Sequence, residues 1–131
     1  MTAAARLGSA GEDVLRYADM FAAIGTEPRL RILRLLLSAH PDGLVAGDVQ
    51  AELGIPASTL SHHLEKLRHE GLVTVRREGT FLRYAARTDT LRDLMGFLYA
   101  ECCTRSGAVN PKEIVWAARP VRGPREEGRA R

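Results

Sequence analysis

Between Pro56 and Ala86 the sequence changes its periodicity once, and that change limits the folds open to the chain. Leu60, Leu64 and Leu67 recur at helical spacing; past Gly71, Leu72 to Arg77 and Phe81 to Ala86 flank the turn residues Glu78-Gly79-Thr80. A single apolar stripe followed by two short strand-forming runs around a glycine turn predicts a helix leading directly into a β-hairpin. Ser58, Thr59, Ser61, His62 and Lys66 fall outside the leucine stripe, with the hydroxyls crowded at the amino end. Short hydroxyl side chains let a helix end press against a polyanion, where free N–H groups and the positive end of the dipole attract phosphate. The hairpin and its exit carry Arg76, Arg77, Arg83 and Arg87 against Glu78 alone, a local basic patch suited to the same ligand.

Upstream, Val14, Leu15, Tyr17, Ala18, Phe21 and Ile24 predict a first helix over Val14–Ile24 that Gly25 can end. Pro28 sits early in a second, Glu27–Ala39, whose many leucines place it near the core. His40-Pro41-Asp42-Gly43 reads as a turn, and Val45–Leu53 as a short helix ended by Gly54. Only Gly54 to Pro56 then separate it from the Ser58 helix, the spacing of a helix-turn-helix. The hairpin would be its wing. Thr88-Asp89 can cap a last helix with Leu91, Leu94, Met95, Leu98 and Cys102 on one stripe. The expected fold is therefore mainly α with a small β-hairpin, a winged helix-turn-helix.

With 131 residues and 45% apolar content, the chain can bury one modest core. Residues 1–11, rich in Ala, Gly and Ser, are expected to be a flexible N-terminus, residues 12–118 the domain, and residues 119–131 a disordered Arg-rich tail. Ile114-Val115-Trp116 is apolar enough to dock against another surface. The N-terminal stretch has no long apolar run, which argues against a signal peptide or membrane span and for a cytoplasmic protein. The net charge of +3 is weak support for a nucleic-acid partner, because residues 1–118 hold fourteen basic and fourteen acidic residues and the excess lies in the tail. No nucleotide-binding glycine motif or nucleophile with a nearby base points to an enzyme.

These segments resemble the ArsR/SmtB family of metal- and metalloid-responsive repressors, roughly from Tyr17 to Cys103. Phe21-Ala22-Ala23-Ile24-Gly25-Thr26-Glu27-Pro28-Arg29-Leu30-Arg31-Ile32-Leu33 is similar to the family's opening signature, with Thr26-Glu27 as a departure. Ser58-Thr59-Leu60-Ser61-His62-His63-Leu64 is similar to its recognition helix, and Leu94 to Cys103 to the last helix of its arsenic-responsive members. The resemblance implies a homodimer with a helical interface, bound to double-stranded operator DNA and released by a small thiophilic inducer, with no cofactor required. It places Ser58, Thr59, Ser61 and His62 on DNA, with Gln50 from the preceding helix and Arg76, Arg77 and Arg83 from the wing. His63, three residues after Leu60, is expected to pack or hydrogen-bond beside the core, and His69 to be solvated near the helix end.

Cys102 and Cys103 are the chain's only thiols. An adjacent pair can be two small buried hydrophobes or a chelate for a soft, thiophilic ion. The resemblance favours the chelate, with trivalent arsenic as the inducer and antimonite as a further thiophilic candidate. The Cys-x-Cys site of other arsenic sensors is replaced by Val45-Ala46-Gly47, and the histidines of zinc sensors are missing after His69. The third cysteine that usually follows the vicinal pair is also absent from Thr104 to Asn110. Inorganic arsenite takes three sulfur ligands, whereas a monomethyl As(III) species needs two, which favours methylarsenite over arsenite. A thiol-redox-responsive repressor using the same cysteines is the alternative, although a disulfide between neighbours is strained.

Overall fold

A computed structural model describes residues 10–101. Helix α1 spans Ala10–Ile24, α2 Glu27–Ser38, α3 Ala46–Leu53 and α4 Ala57–His69; strand β1 is Leu44–Val45, β2 Val73–Glu78 and β3 Phe81–Ala86; helix α5 spans Thr88–Glu101. Two compact units are distinguished, residues 1–92 and residues 93–131. Of the second, only the α5 residues from Asp93 onward are described.

The leucine stripe is the centre of the first unit. Leu60, Leu64 and Leu67 of α4 are buried with Ile32, Leu33 and Leu36 of α2, Val49 of α3, Ala23 of α1, and Leu72, Val73 and Ala86 of the hairpin. The helical repeat puts each helix's apolar stripe inward, and burying one such side chain stabilises by about 1.5–3 kcal/mol. Pro28 lies in the first turn of α2, where its missing N–H is no loss. Gly54 ends α3 in the left-handed conformation, φ 67°, its N–H reaching the Gln50 carbonyl at 2.8 Å. The chain then turns into α4 within the three residues expected.

Three details depart from the sequence expectations. Helix α1 begins at Ala10, so the last two residues of the stretch expected to be flexible are helical. The helix expected from Val45 begins at Ala46, and Val45 instead belongs to a strand. The hairpin is consequently one part of a three-stranded antiparallel sheet in the order β1-β3-β2. Leu44 pairs with Tyr84 and Val45 with Arg83. Gly43 makes that pairing possible: at φ 77°, a Cβ there would lie 2.1 Å from the Tyr84 carbonyl oxygen. Only a residue without a side chain permits this approach.

In α5, Leu94 is 3% exposed, while Met95 and Leu98 of the expected stripe are 49% and 53% exposed. Helix α1 likewise exposes Val14, Leu15 and Phe21. No described helix is long and apolar enough to cross a membrane. Residues 1–9, the Cys102–Cys103 pair, Ile114-Val115-Trp116 and the tail from Arg119 lie outside the described residues.

Candidate nucleic-acid interface

Helix α4 presents its first turn to solvent. Ser58, Thr59, Ser61 and His62 are all exposed, because burial of the Leu60, Leu64 and Leu67 stripe turns the opposite face of the helix outward. Pro56 occupies the N-cap and provides no side-chain cap. The first intrahelical bond runs from the Leu60 N–H to the Pro56 carbonyl at 2.8 Å. The N–H groups of Ala57, Ser58 and Thr59 therefore have no intrahelical acceptor. No acidic residue lies in that turn, and Lys66, Arg68 and His69 occupy the last, where they suit the dipole. Glu65, about two turns beyond the start of the helix, is held by Arg68. Hydrogen bonding from Arg68 keeps its carboxyl below the usual carboxylate range.

Half-buried Gln50 lines an open groove with Gly47, Ala51, Gly54, Ile55 and Pro56, at the entry to α4. The small side chains along this groove leave room for a phosphodiester backbone to approach α3 and the turn.

The wing arginines differ in their surroundings. Arg76 and Arg83 are directly paired across β2 and β3, while Arg77 is opposite Leu82. Alternation puts Glu78 on the Arg76 face. Arg76 Nε donates to Glu78 Oε2 at 3.1 Å and Arg83 Nε to Oε1 at 2.9 Å. These two hydrogen bonds, Arg76's first, hold the Glu78 carboxyl below its usual range. Arg83 is half-buried and also donates to the Gly43 carbonyl at 3.2 Å, tying the wing to the segment before β1. Arg77 is exposed, has no carboxylate partner among the described residues, and reaches only the Gly79 carbonyl at 3.5 Å. The geometry thus makes Arg77 the most available wing cation, Arg76 an exposed but shared one, and Arg83 partly a structural clamp. Phe81, not anticipated from the sequence, stands exposed beside them at the wing tip.

The sequence reading also missed Arg29. Its Nε donates to the Ala23 carbonyl and its second amino group to the Ala22 carbonyl at 3.5 Å, satisfying acceptors in the last turn of α1. Its remaining amino group lies 3.4 Å from His63 Nδ1 on α4. A guanidinium can only donate, so a hydrogen bond here requires Nδ1 to accept and the His63 ring to be neutral with its proton on Nε2. His63 is half-buried beside the core, where the sequence placed it.

A helix-turn-helix domain family matches residues 25–76, the segment from α2 into the wing. Among curated proteins, the nodulation protein NolR of Rhizobium meliloti is 30% identical over 104 residues, covering 79% of this chain and 83% of its own. A candidate arsenical resistance operon repressor of Halobacterium salinarum, ArsR2, is 36% identical over 77 residues, covering 59% and 63% respectively. An ArsR-like transcriptional regulator from Rhodococcus superposes with a TM-score of 0.62 at 28% identity, covering 74% of this chain and 92% of that one. The homodimeric winged helix-turn-helix DNA-binding domain Mb0332 from Mycobacterium bovis gives 0.56 at 26% identity, covering 73% and 88%. The two solved structures share the fold in which the exposed turn of α4 is set.

Proposed function

The chain belongs to the ArsR family of winged helix-turn-helix DNA-binding transcriptional regulators, and on that premise we propose that it is a homodimeric repressor released from its operator by trivalent arsenic bound at Cys102 and Cys103. The vicinal thiol pair carries the inducer reading, since these are the only cysteines of the chain and soft thiolates suit a thiophilic metalloid. The Halobacterium relative named for arsenical resistance supports the same chemistry. Two thiolates complete the coordination of methylarsenite, which is therefore the preferred inducer over arsenite.

DNA binding is assigned to Ser58, Thr59, Ser61 and His62 in one groove, with Gln50 and the wing arginines on the flanking backbone. Dimerisation is assigned to the exposed apolar side chains of α1 and α5, in keeping with the homodimeric Mycobacterium bovis domain. A dimer places two copies of α4 about one DNA turn apart, matching a palindromic site. Side chains at adjacent helical positions diverge, so chelation by Cys102 and Cys103 excludes regular helix at those positions and imposes a local backbone distortion. A coupling of about 1–3 kcal/mol between that distortion and the spacing of the two α4 helices would lower operator affinity from several-fold to about a hundredfold.

The test is fluorescence anisotropy on a duplex selected by the wild-type protein from a random-sequence pool, titrated in parallel with methylarsenite and arsenite under reducing conditions. Release at the lower methylarsenite concentration, abolished in Cys102→Ser and Cys103→Ser proteins that still bind the duplex, is the expected result. Undiminished release of those variants would overturn the site. Release by an oxidant and by neither arsenical would assign the cysteines to redox sensing instead.

A further inference from the structure

We propose that Arg29 is a positioning residue for DNA binding: it anchors α4 to the end of α1 through His63, and the anchor holds only while His63 is neutral, so that acidification loosens the protein's grip on DNA. This rests on the DNA-binding reading of α4.

One planar guanidinium joins three helices. It leaves α2 at Arg29, takes the carbonyls of Ala22 and Ala23 at the end of α1, and meets His63 Nδ1 of α4. His63 immediately follows His62 and lies two residues after Ser61, both on the exposed DNA-facing turn, and it precedes buried Leu64. A change in how His63 is held is thus transmitted within one helical turn to the positions that face the groove. The rigid fork of a guanidinium fixes such a geometry better than a flexible ammonium could.

Protonation of His63 replaces an acceptor by a donor and sets two cations 3.4 Å apart. Either Arg29 must leave the end of α1 or the ring must swing away, and both free α4 from its anchor. Burial, then the Arg29 charge, then His62 push the His63 pKa below its ordinary value. The charges that shift it are Arg29 of α2 and His62 on its own helix. The sign follows: the neutral anchor is complete above about pH 6.5 and is lost as pH falls through the lowered value.

The experiment compares the wild type with His63→Asn, whose side-chain oxygen keeps an acceptor near the Nδ1 position and cannot titrate. Affinity for the selected duplex is measured by anisotropy from about pH 8 to about pH 5. The ratio of wild-type to variant affinity reports the pH dependence that requires His63. It should stay constant above about pH 7 and fall several-fold or more by about pH 5, with a limit of tenfold per pH unit per protomer. In parallel, the His63 ring is titrated by NMR in the free wild-type and Arg29→Gln proteins; loss of the neighbouring cation should raise its pKa. A flat ratio, or a His63 titration unmoved by Arg29→Gln, overturns the proposal. Failure of the wild type to select or bind any duplex would instead overturn the regulator reading, and the NMR titration would then still report whether the two side chains are coupled.

Discussion

Glu78 and Arg83 meet across the two strands of the wing, Arg83 Nε donating to Glu78 Oε1 at 2.9 Å. Because Arg76 shares the same carboxylate, one acid partly neutralises two of the three arginines expected to face DNA. Glu78→Gln removes that competitor for phosphate. DNA affinity should rise several-fold at low salt, and the slope of log affinity against log salt should steepen by about 0.9 for each added phosphate contact. Anisotropy over a salt series measures both.

Gly43→Ala should destabilise the chain by about 3 kcal/mol or more, since a Cβ would meet the Tyr84 carbonyl oxygen at 2.1 Å and the residue would be held at φ 77°. Urea unfolding gives the magnitude. Gly54→Ala, at φ 67° with nothing within 4 Å of the added Cβ, should cost only about 1 kcal/mol. Equal losses at the two positions would refute the assignment of close approach to Gly43.

Ser61→Ala should leave stability within about 0.5 kcal/mol, because the side chain is exposed. Affinity for the selected duplex should nevertheless fall by about tenfold or more, the loss of one groove contact. The same change at Ser38, exposed on α2 and bonded to the Leu35 carbonyl, should leave DNA affinity as it was.

Leu98→Glu places a charge on a side chain 53% exposed in the single chain. If α5 forms the dimer interface, the charge is buried there without a partner and the dimer should dissociate. Sedimentation should then report a monomer, with DNA affinity reduced by a hundredfold or more because each half-site is bound alone.

The elements legible in the sequence were those whose signal is local and repeated. Leu60, Leu64 and Leu67 gave α4 its length and buried face, and Gly54 and Gly79 marked turns that both adopt positive φ. Strand β1 escaped because two residues, Leu44 and Val45, are too few to show alternation, and their partners Tyr84 and Arg83 lie some forty residues away in sequence. The wing's charge was legible but its pairing was overlooked, although period-two alternation already puts Arg76 and Glu78 on one face. Arg29 was hidden for a different reason. It lies in a helix of interleaved arginines and leucines, and nothing local separates the arginine that reaches α1 and α4 from exposed Arg34 or from Arg31, which pairs with Glu27 on its own helix.

Pro56 leaves α4 without the side-chain cap that ordinarily adds about 1 kcal/mol to a helix. The hydroxyls of Ser58 and Thr59 follow it rather than precede it, so the helix starts with amides waiting for an acceptor. On the DNA-binding reading proposed above, a phosphate of the bound duplex would supply that acceptor and serve as the cap of α4. On that reading docking supplies what the missing cap does not: a duplex that seats the phosphate well adds stability to the first turn of α4, and one that seats it poorly does not, so part of the binding energy would lie in the protein's own backbone.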